Sequence, residues 1–237
     1  MNVQGKTAVV TGASRGLGRA LSEALVKKGV RVFGVARNRT LLESIQASLG
    51  SLFVPVQLDI TRVDSVESWI QNSFSDSNCP DILINNAGIG AFKKVDETDT
   101  ELWASMMNTN LNGVFYVTSG LVRLMKRRNS PSHIVNIGSV LGTVGKAEAT
   151  AYSASKFGIR GFSESLYMEL RHHGIKVTCV CPGSIETDFF SESGITAHSN
   201  MLHPADVANT VVHILETPDT MLINEIIMRP LNTRRPN

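Results

Sequence analysis

The stretch that decides the fold is Lys6-Thr7-Ala8-Val9-Val10-Thr11-Gly12-Ala13-Ser14-Arg15-Gly16-Leu17-Gly18. Its first half is short, apolar and β-branched, which suits a buried strand, and the glycines then break it as a tight turn. Leu17, Ala20, Leu21, Ala24 and Leu25 follow at helical spacing until Gly29. The segment therefore reads as strand, glycine turn, helix. Glycines in such a turn let backbone N–H groups approach a phosphate, and the helix N-terminus adds its positive dipole end. Residues 30–35 form a second strand, so the chain opens with a β-α-β unit whose crossover is right-handed.

The alternation continues outward. Residues 40–49 read as helix, 52–58 as a strand ending at Asp59, 63–74 as helix, and 81–85 as a strand closed by Asn85-Asn86-Ala87-Gly88. Residues 100–128 form a long helical stretch with apolar turns at Trp103, Met106, Met107, Leu111, Val114 and Phe115, and with the polar Asn110 among them. Three more strands are predicted at 133–137, 175–180 and 223–228, the first followed by Ser139 and the second by Pro182-Gly183. Residues 204–215 form a helix opened by Pro204, and the polar segment 184–203 before it predicts a lid over a site. Repeated strand and helix with short connections imply one domain, 1–237, built as a doubly wound parallel sheet of about seven strands with helices on both faces.

In such a sheet the C-terminal strand ends share one edge, where ligands bind at the switch point in strand order. Gly12, Arg37, Asp59, Asn85, Ser139 and Pro182 all fall at or just after those ends. Tyr152 and Lys156 stand four apart on a helix over 151–171, marked by Phe157, Phe162, Leu166 and Leu170, so they project side by side. An ammonium near a phenol lowers its pKa toward working pH and makes it a proton donor and acceptor. A Tyr and a Lys at this spacing are common on solvated helices; their place beside the strand-end edge is what argues for chemistry. Asn110, polar within a buried helix, either ties down backbone or water or serves a site. After the second strand the chain reads Ala36-Arg37-Asn38-Arg39, with no acid to take ribose hydroxyls, and Arg15 adds a cation in the glycine turn. Guanidinium groups there suit a 2′-phosphate and favour NADP(H) over NAD(H).

Composition and motif exclude most other classes. Hydrophobic residues are 42% and charged residues 19% of 237, with a net charge of +2, so the chain is globular and carries no basic face for nucleic acid. Lys126-Arg127-Arg128 reads as a helix end, where cations meet the negative end of the dipole. Three cysteines, with Cys179 and Cys181 alternating along a strand, lack the spacing of a zinc site and read as small buried residues in a reducing compartment. Without a signal segment or a long apolar run, a cytoplasmic, non-membrane protein is expected. His172-His173 sits at a helix end, and no metal motif, hydrolase elbow or phosphate-transfer lysine accompanies these features.

Taken together, Thr11-Gly12-x-x-x-Gly16-x-Gly18, Asp59, Asn85-Asn86-Ala87-Gly88, Asn110, Ser139, Tyr152-x-x-x-Lys156 and Pro182-Gly183 with Thr187 resemble the short-chain dehydrogenase/reductase family over essentially the whole chain. The resemblance implies a single-domain Rossmann fold and an oxidoreductase. It makes Tyr152 the general acid in carbonyl reduction and the base in alcohol oxidation, with Ser139 hydrogen-bonded to the substrate oxygen. Lys156 would hold the nicotinamide ribose and lower the Tyr152 pKa, and Asn110 would place a water in a proton relay. For the cofactor it implies Gly12, Ser14, Arg15, Gly16, Leu17, Gly18, Arg37, Asp59, Ile60, Asn86, Ala87, Gly88, Tyr152, Lys156, Pro182, Gly183, Ile185 and Thr187. Arg15 and Arg37 match positions that are basic in NADP-preferring members.

The function expected is NADPH-dependent reduction of a ketone or aldehyde, as in a 3-oxoacyl reductase or general carbonyl reductase. Oxidation of a hydroxy acid or sugar alcohol by the same residues is the alternative, and a non-catalytic NADP-binding regulator is the alternative of another class. Val140, Leu141, residues 90–92 and the 184–203 segment would wall a pocket for a small carbonyl or alcohol. No metal, nucleic acid or membrane partner is expected. The resemblance further suggests a homodimer or homotetramer, with Gly158 and Gly161 allowing close packing of the Tyr152 helix.

Overall fold

A computed structural model describes residues 1–128, 130–189 and 200–231. The strands are β1 (Thr7–Thr11), β2 (Arg31–Ala36), β3 (Phe53–Gln57), β4 (Ile82–Asn85), β5 (Ser132–Ile137), β6 (Ile175–Pro182) and β7 (Glu225–Met228). They form one parallel sheet in the order β3-β2-β1-β4-β5-β6-β7. The chain builds outward from β1 to β3, then returns to place β4 on the other side of β1. That reversal opens a crevice at the C-terminal ends of β1 and β4.

Period-two alternation decides which side chain meets which layer. Ala8 and Val10 of β1, with Ile82 and Ile84 of β4, pack against α1 (Gly16–Lys27), α2 (Arg39–Leu49) and the C-terminal helix, α7 (Pro204–Leu215). Val9 and Leu83 point the other way, onto α3 (Val63–Ser73), α5 (Gly113–Met125) and α6 (Thr150–Leu170). β5 and β6 are buried along their whole length, as a parallel strand covered on both faces must be.

The predicted helix over 100–128 is a single rod with an irregular middle: α4 (Thr100–Met107), a π-helical turn (Asn108–Asn112), then α5. The wide turn coincides with the asparagine-rich Asn108-Thr109-Asn110-Leu111-Asn112, whose side chains compete for backbone groups. α6 ends in a tight turn at Arg171–His173, and Gly174 follows with φ of 67°. His172 and His173 thus stand at a helix end, as read from the sequence. The segment 184–203 is described only up to 189 and from 200; the rest of the expected lid, and the Arg234-Arg235 pair, lie outside the described residues. No helix among the described residues is long and apolar enough to cross a membrane.

The Lys126-Arg127-Arg128 cluster does more than meet a dipole. Arg127 pairs with Asp76 at 2.7 Å, and Arg128 reaches Asp81 at 2.6 Å. Asp81 is 5% exposed; it also pairs with Lys6 at 3.1 Å and accepts from the Thr7 backbone N–H at 2.9 Å. One carboxylate therefore fixes the start of β1 against the turn before β4. Removing one partner of a buried charge pair leaves the others uncompensated. Asp81→Ala is expected to lower unfolding free energy by about 3 kcal/mol, read from denaturant midpoints; a loss within about 0.5 kcal/mol would refute the clamp.

A buried histidine ties the next strands together. Thr178 spends its hydroxyl proton on the Ile223 carbonyl at 2.6 Å, so the 2.8 Å contact with His133 has the imidazole Nε2–H as donor. His133 Nδ1 then has no partner. Burial, with the Lys176 charge and the amino terminus adding to it, pushes the imidazole down to about 3 from its ordinary 6.5. Between those values the unfolded chain takes up a proton that the fold refuses, so stability falls as pH drops below about 6.5. From pH 7 to 5 the native chain should lose about 2 kcal/mol more than His133→Gln; equal losses in parallel denaturant titrations would remove His133 from the acid response.

Candidate active site

The crevice at the strand ends is a cleft of about 990 Å³. Every cofactor position expected from the resemblance lines it, from Gly12 to Gly18 at one side through Arg37, Asp59 and Gly88 to Thr187 at the other. Its tightest part is the glycine turn. Gly12 has φ of 68°, and a side chain there would put its Cβ 2.8 Å from Ala87 Cα; at Gly18 the Cβ would lie 2.1 Å from the Gly12 carbonyl oxygen. Only glycine fits either place. Asn86 closes the same corner, donating through Nδ2 to the Thr11 and Gly12 carbonyls at 2.9 and 3.3 Å. Its side chain thus holds the turn in shape.

Charge is graded along the cleft. Asp59 accepts from the Thr61 N–H and hydroxyl at 3.0 and 2.8 Å. Burial opposes its ionisation, but those hydrogen bonds and the Arg37 and Arg62 charges outweigh it and hold the carboxyl below its ordinary value. Arg15 and Arg37 both line the cleft. Arg39, by contrast, is the exposed first residue of α2, pairs with Glu43 at 2.7 Å, and is not among the lining residues.

At the inner end, Ser139, Tyr152 and Lys156 come together, each less than a tenth exposed. Ser139 follows β5, its Oγ accepting from the Leu141 N–H at 3.1 Å. Tyr152 and Lys156 stand on the first turns of α6, and Lys156 Nζ lies 5.7 Å from the centre of the Tyr152 ring while donating to the Ile137 carbonyl at 2.9 Å. The side-by-side placement matches the sequence reading, but its electrostatic consequence does not. Burial pushes the Tyr152 phenol up to about 12, with Ser139 acting in the opposite direction. Burial also pulls Lys156 down to about 8, against the influence of Cys179 and Cys181. Desolvation wins because both groups are enclosed and the ammonium is aimed at a backbone carbonyl.

Asn110 does not line the cleft. It is 1% exposed, accepts from the Ile89 N–H at 2.8 Å, and donates to the Ile89 carbonyl at 2.9 Å and to Ser155 Oγ at 3.0 Å. Of the two roles left open by the sequence, the backbone tie is the one on view, and Ser155, one residue before Lys156, is its unforeseen partner. Phe92 and Phe189 flank the Tyr152 ring, with centroids 5.5 and 5.7 Å away. Lys146 lies over Phe92 at 5.6 Å. No periodic signal marks Lys146, which sits in the connection before α6.

The short chain dehydrogenase family model matches residues 6–197. The 3-oxoacyl-(acyl-carrier-protein) reductases FabG of Salmonella typhimurium and Vibrio harveyi are 40% and 38% identical over 188 residues, each match covering 79% of this chain and 77% of theirs. An uncharacterized oxidoreductase of Staphylococcus saprophyticus is 30% identical over 235 residues, 98% of this chain and 100% of its own. Among solved structures, serine dehydrogenase from Escherichia coli superposes with a TM-score of 0.84 at 28% identity, covering 94% of this chain and 96% of that one. A closed serine dehydrogenase complexed with NADP+ gives 0.87 at 27% identity, covering 97% and 100%. With a cleft of this construction and a family match over most of its length, the chain belongs to the short-chain dehydrogenase family of oxidoreductases.

Proposed function

We propose that the chain is an NADP(H)-dependent oxidoreductase that reduces a ketone or aldehyde, with Tyr152 as proton donor. The observation that carries this reading is the convergence of the Tyr152 phenol, the Ser139 hydroxyl and the Lys156 ammonium on the wall of a cleft that continues to the glycine turn. The cleft suits a dinucleotide: close backbone approach at Gly12 and Gly18 leaves room for a pyrophosphate, and Arg15 and Arg37 suit a 2′-phosphate. A bound nicotinamide coenzyme supplies or takes up the hydride.

The chain's own residues then handle the proton and the developing charge. A phenol held up to about 12 stays protonated at neutral pH, so Tyr152 is stored as a donor. Ser139 donates to the substrate oxygen as negative charge grows there. Lys156, pulled down to about 8, is positioned to hold a ribose hydroxyl and to stabilise the phenolate once the proton has left. Asn110 keeps Ile89 and Ser155 in place behind it, and a proton relay to solvent at that point is part of the proposal. Phe92, Leu141 and Phe189 give the substrate end an apolar wall. That wall suits 3-oxoacyl groups of the kind named for the FabG relatives.

The likeness to serine dehydrogenase supports a second reading, oxidation of a hydroxy acid by the same residues. A panel of carbonyls and hydroxy acids assayed with both coenzymes separates the two. Tight NADPH binding with no turnover across that panel would favour a regulator instead. Assembly as a homodimer or homotetramer belongs to the same proposal. Exposed Phe157 and Met168 on α6 support it, although Gly158 already packs against Leu111 within the chain.

Tyr152→Phe should lower turnover by at least about 10²-fold while NADPH still binds; near-normal kcat in that variant would sink the mechanism. Arg37→Asp should shift the ratio of kcat/KM for NADPH over NADH toward NADH by at least about tenfold. An unchanged ratio would show that Arg37 does not read the 2′-phosphate.

A further inference from the structure

Behind the Ser139 turn lies a cluster that the proposed chemistry does not use. Cys179 and Cys181 alternate along β6, so both thiols face α6, where they pack with Val114 and Ile159. Their sulfurs stand 3.6 Å apart, and Cys179 and Cys181 are 2% and 0% exposed. β7 lies beside β6 in parallel register, with Cys179 opposite Glu225. Cross-strand partners share a face, and the two sulfurs and a Glu225 carboxylate oxygen all fall within 4.8 Å of one another.

We propose that Cys179, Cys181 and Glu225 bind one thiophilic divalent cation of the zinc class. The sulfur spacing favours chelation over a disulfide. Two thiolates about 2.3 Å from a tetrahedral ion stand about 3.8 Å apart, close to the 3.6 Å observed. A disulfide needs about 2.05 Å and would draw two residues of one extended strand together. Three protein ligands leave the fourth position to water.

Entry is by way of Glu225, whose side chain is 26% exposed at the outer strand of the sheet. Arg160 now holds that carboxylate through Nε and Nη2 on separate oxygens. One oxygen can turn to the ion while the guanidinium keeps the other. The charges balance: the cation replaces two thiol protons, which leave to solvent, and with two thiolates and one carboxylate the centre carries a single negative charge beside Arg160. The site also shares a wall with the catalytic cleft. A Cβ at Gly138 would lie 3.0 Å from Cys181 Sγ and 3.2 Å from Cys179 Sγ, so the sulfurs bear directly on the backbone that leads into Ser139.

Titration of the reduced full-length chain with Cd2+ tests the site. The expected result is one equivalent bound, with thiolate-to-metal charge-transfer absorption and release of about two protons per ion in weak buffer. Cys179→Ser and Cys181→Ser should each weaken binding at least about 100-fold and Glu225→Gln about tenfold, while Cys79→Ser leaves it unchanged. In the unaltered chain, where no variant can misfold, one equivalent of Zn2+ should slow alkylation of Cys179 and Cys181 but not of Cys79. The proposal is overturned by absence of the absorption band, by its persistence in the Cys179→Ser/Cys181→Ser double variant, by unchanged affinity in Glu225→Gln, or by equal protection of all three thiols.

Discussion

The Thr11 hydroxyl accepts two backbone N–H groups, from Asn86 at 3.0 Å and from Ala87 at 3.1 Å. On this small junction the rest of the cleft depends. β1 and β4 are neighbours although far apart in the chain, and parallel pairing alone fixes their register but not the path of the loops beyond their ends. Thr11 and Asn86 fix both loops at once, bringing the Gly12 turn against the Ala87 backbone so closely that no Cβ could be interposed. The cleft floor is therefore made of backbone, the surface best able to offer N–H groups to an anion.

At the inner end the governing term is desolvation. Tyr152 and Lys156 are displaced in opposite directions by the same burial, the phenol upward and the ammonium downward. Each is thereby biased toward its neutral form. A neutral phenol is a stored proton, which is why the enclosure that defeats the simple charge-pair argument still agrees with carbonyl reduction. The aromatic faces of Phe92 and Phe189 keep that enclosure dry around the ring.

Much of this architecture was legible in the sequence because it rests on local signals. Alternating apolar strands, the Gly12–Gly18 turn and the four-residue spacing of Tyr152 and Lys156 each declare themselves within a short window, and all of the strands lie where the pattern put them, with ends shifted by a residue or two. What stayed hidden depends on partners distant in the chain. Nothing near Arg128 announces Asp81, nothing near Asn110 announces Ser155, and Cys179 meets Glu225 only because β7 is laid down beside β6. The direction of the Tyr152 shift was misread for a related reason: spacing gives proximity, but burial is a property of the whole fold.

The π-helical turn at Asn108–Asn112 has a consequence for how this chain can vary in length. Regular helix advances about 100° per residue, and the wide turn absorbs one residue beyond that regular advance. Val117, Leu121 and Met125 reach the sheet only with that offset in place. Loss of a single residue between 108 and 112 would leave an unbroken helix, yet would rotate α5 by about 100° and swing those three side chains off the core. Loops on the surface can lengthen or shorten freely, whereas this helix interior acts as a phase-setting spacer whose length is held by everything packed downstream of it.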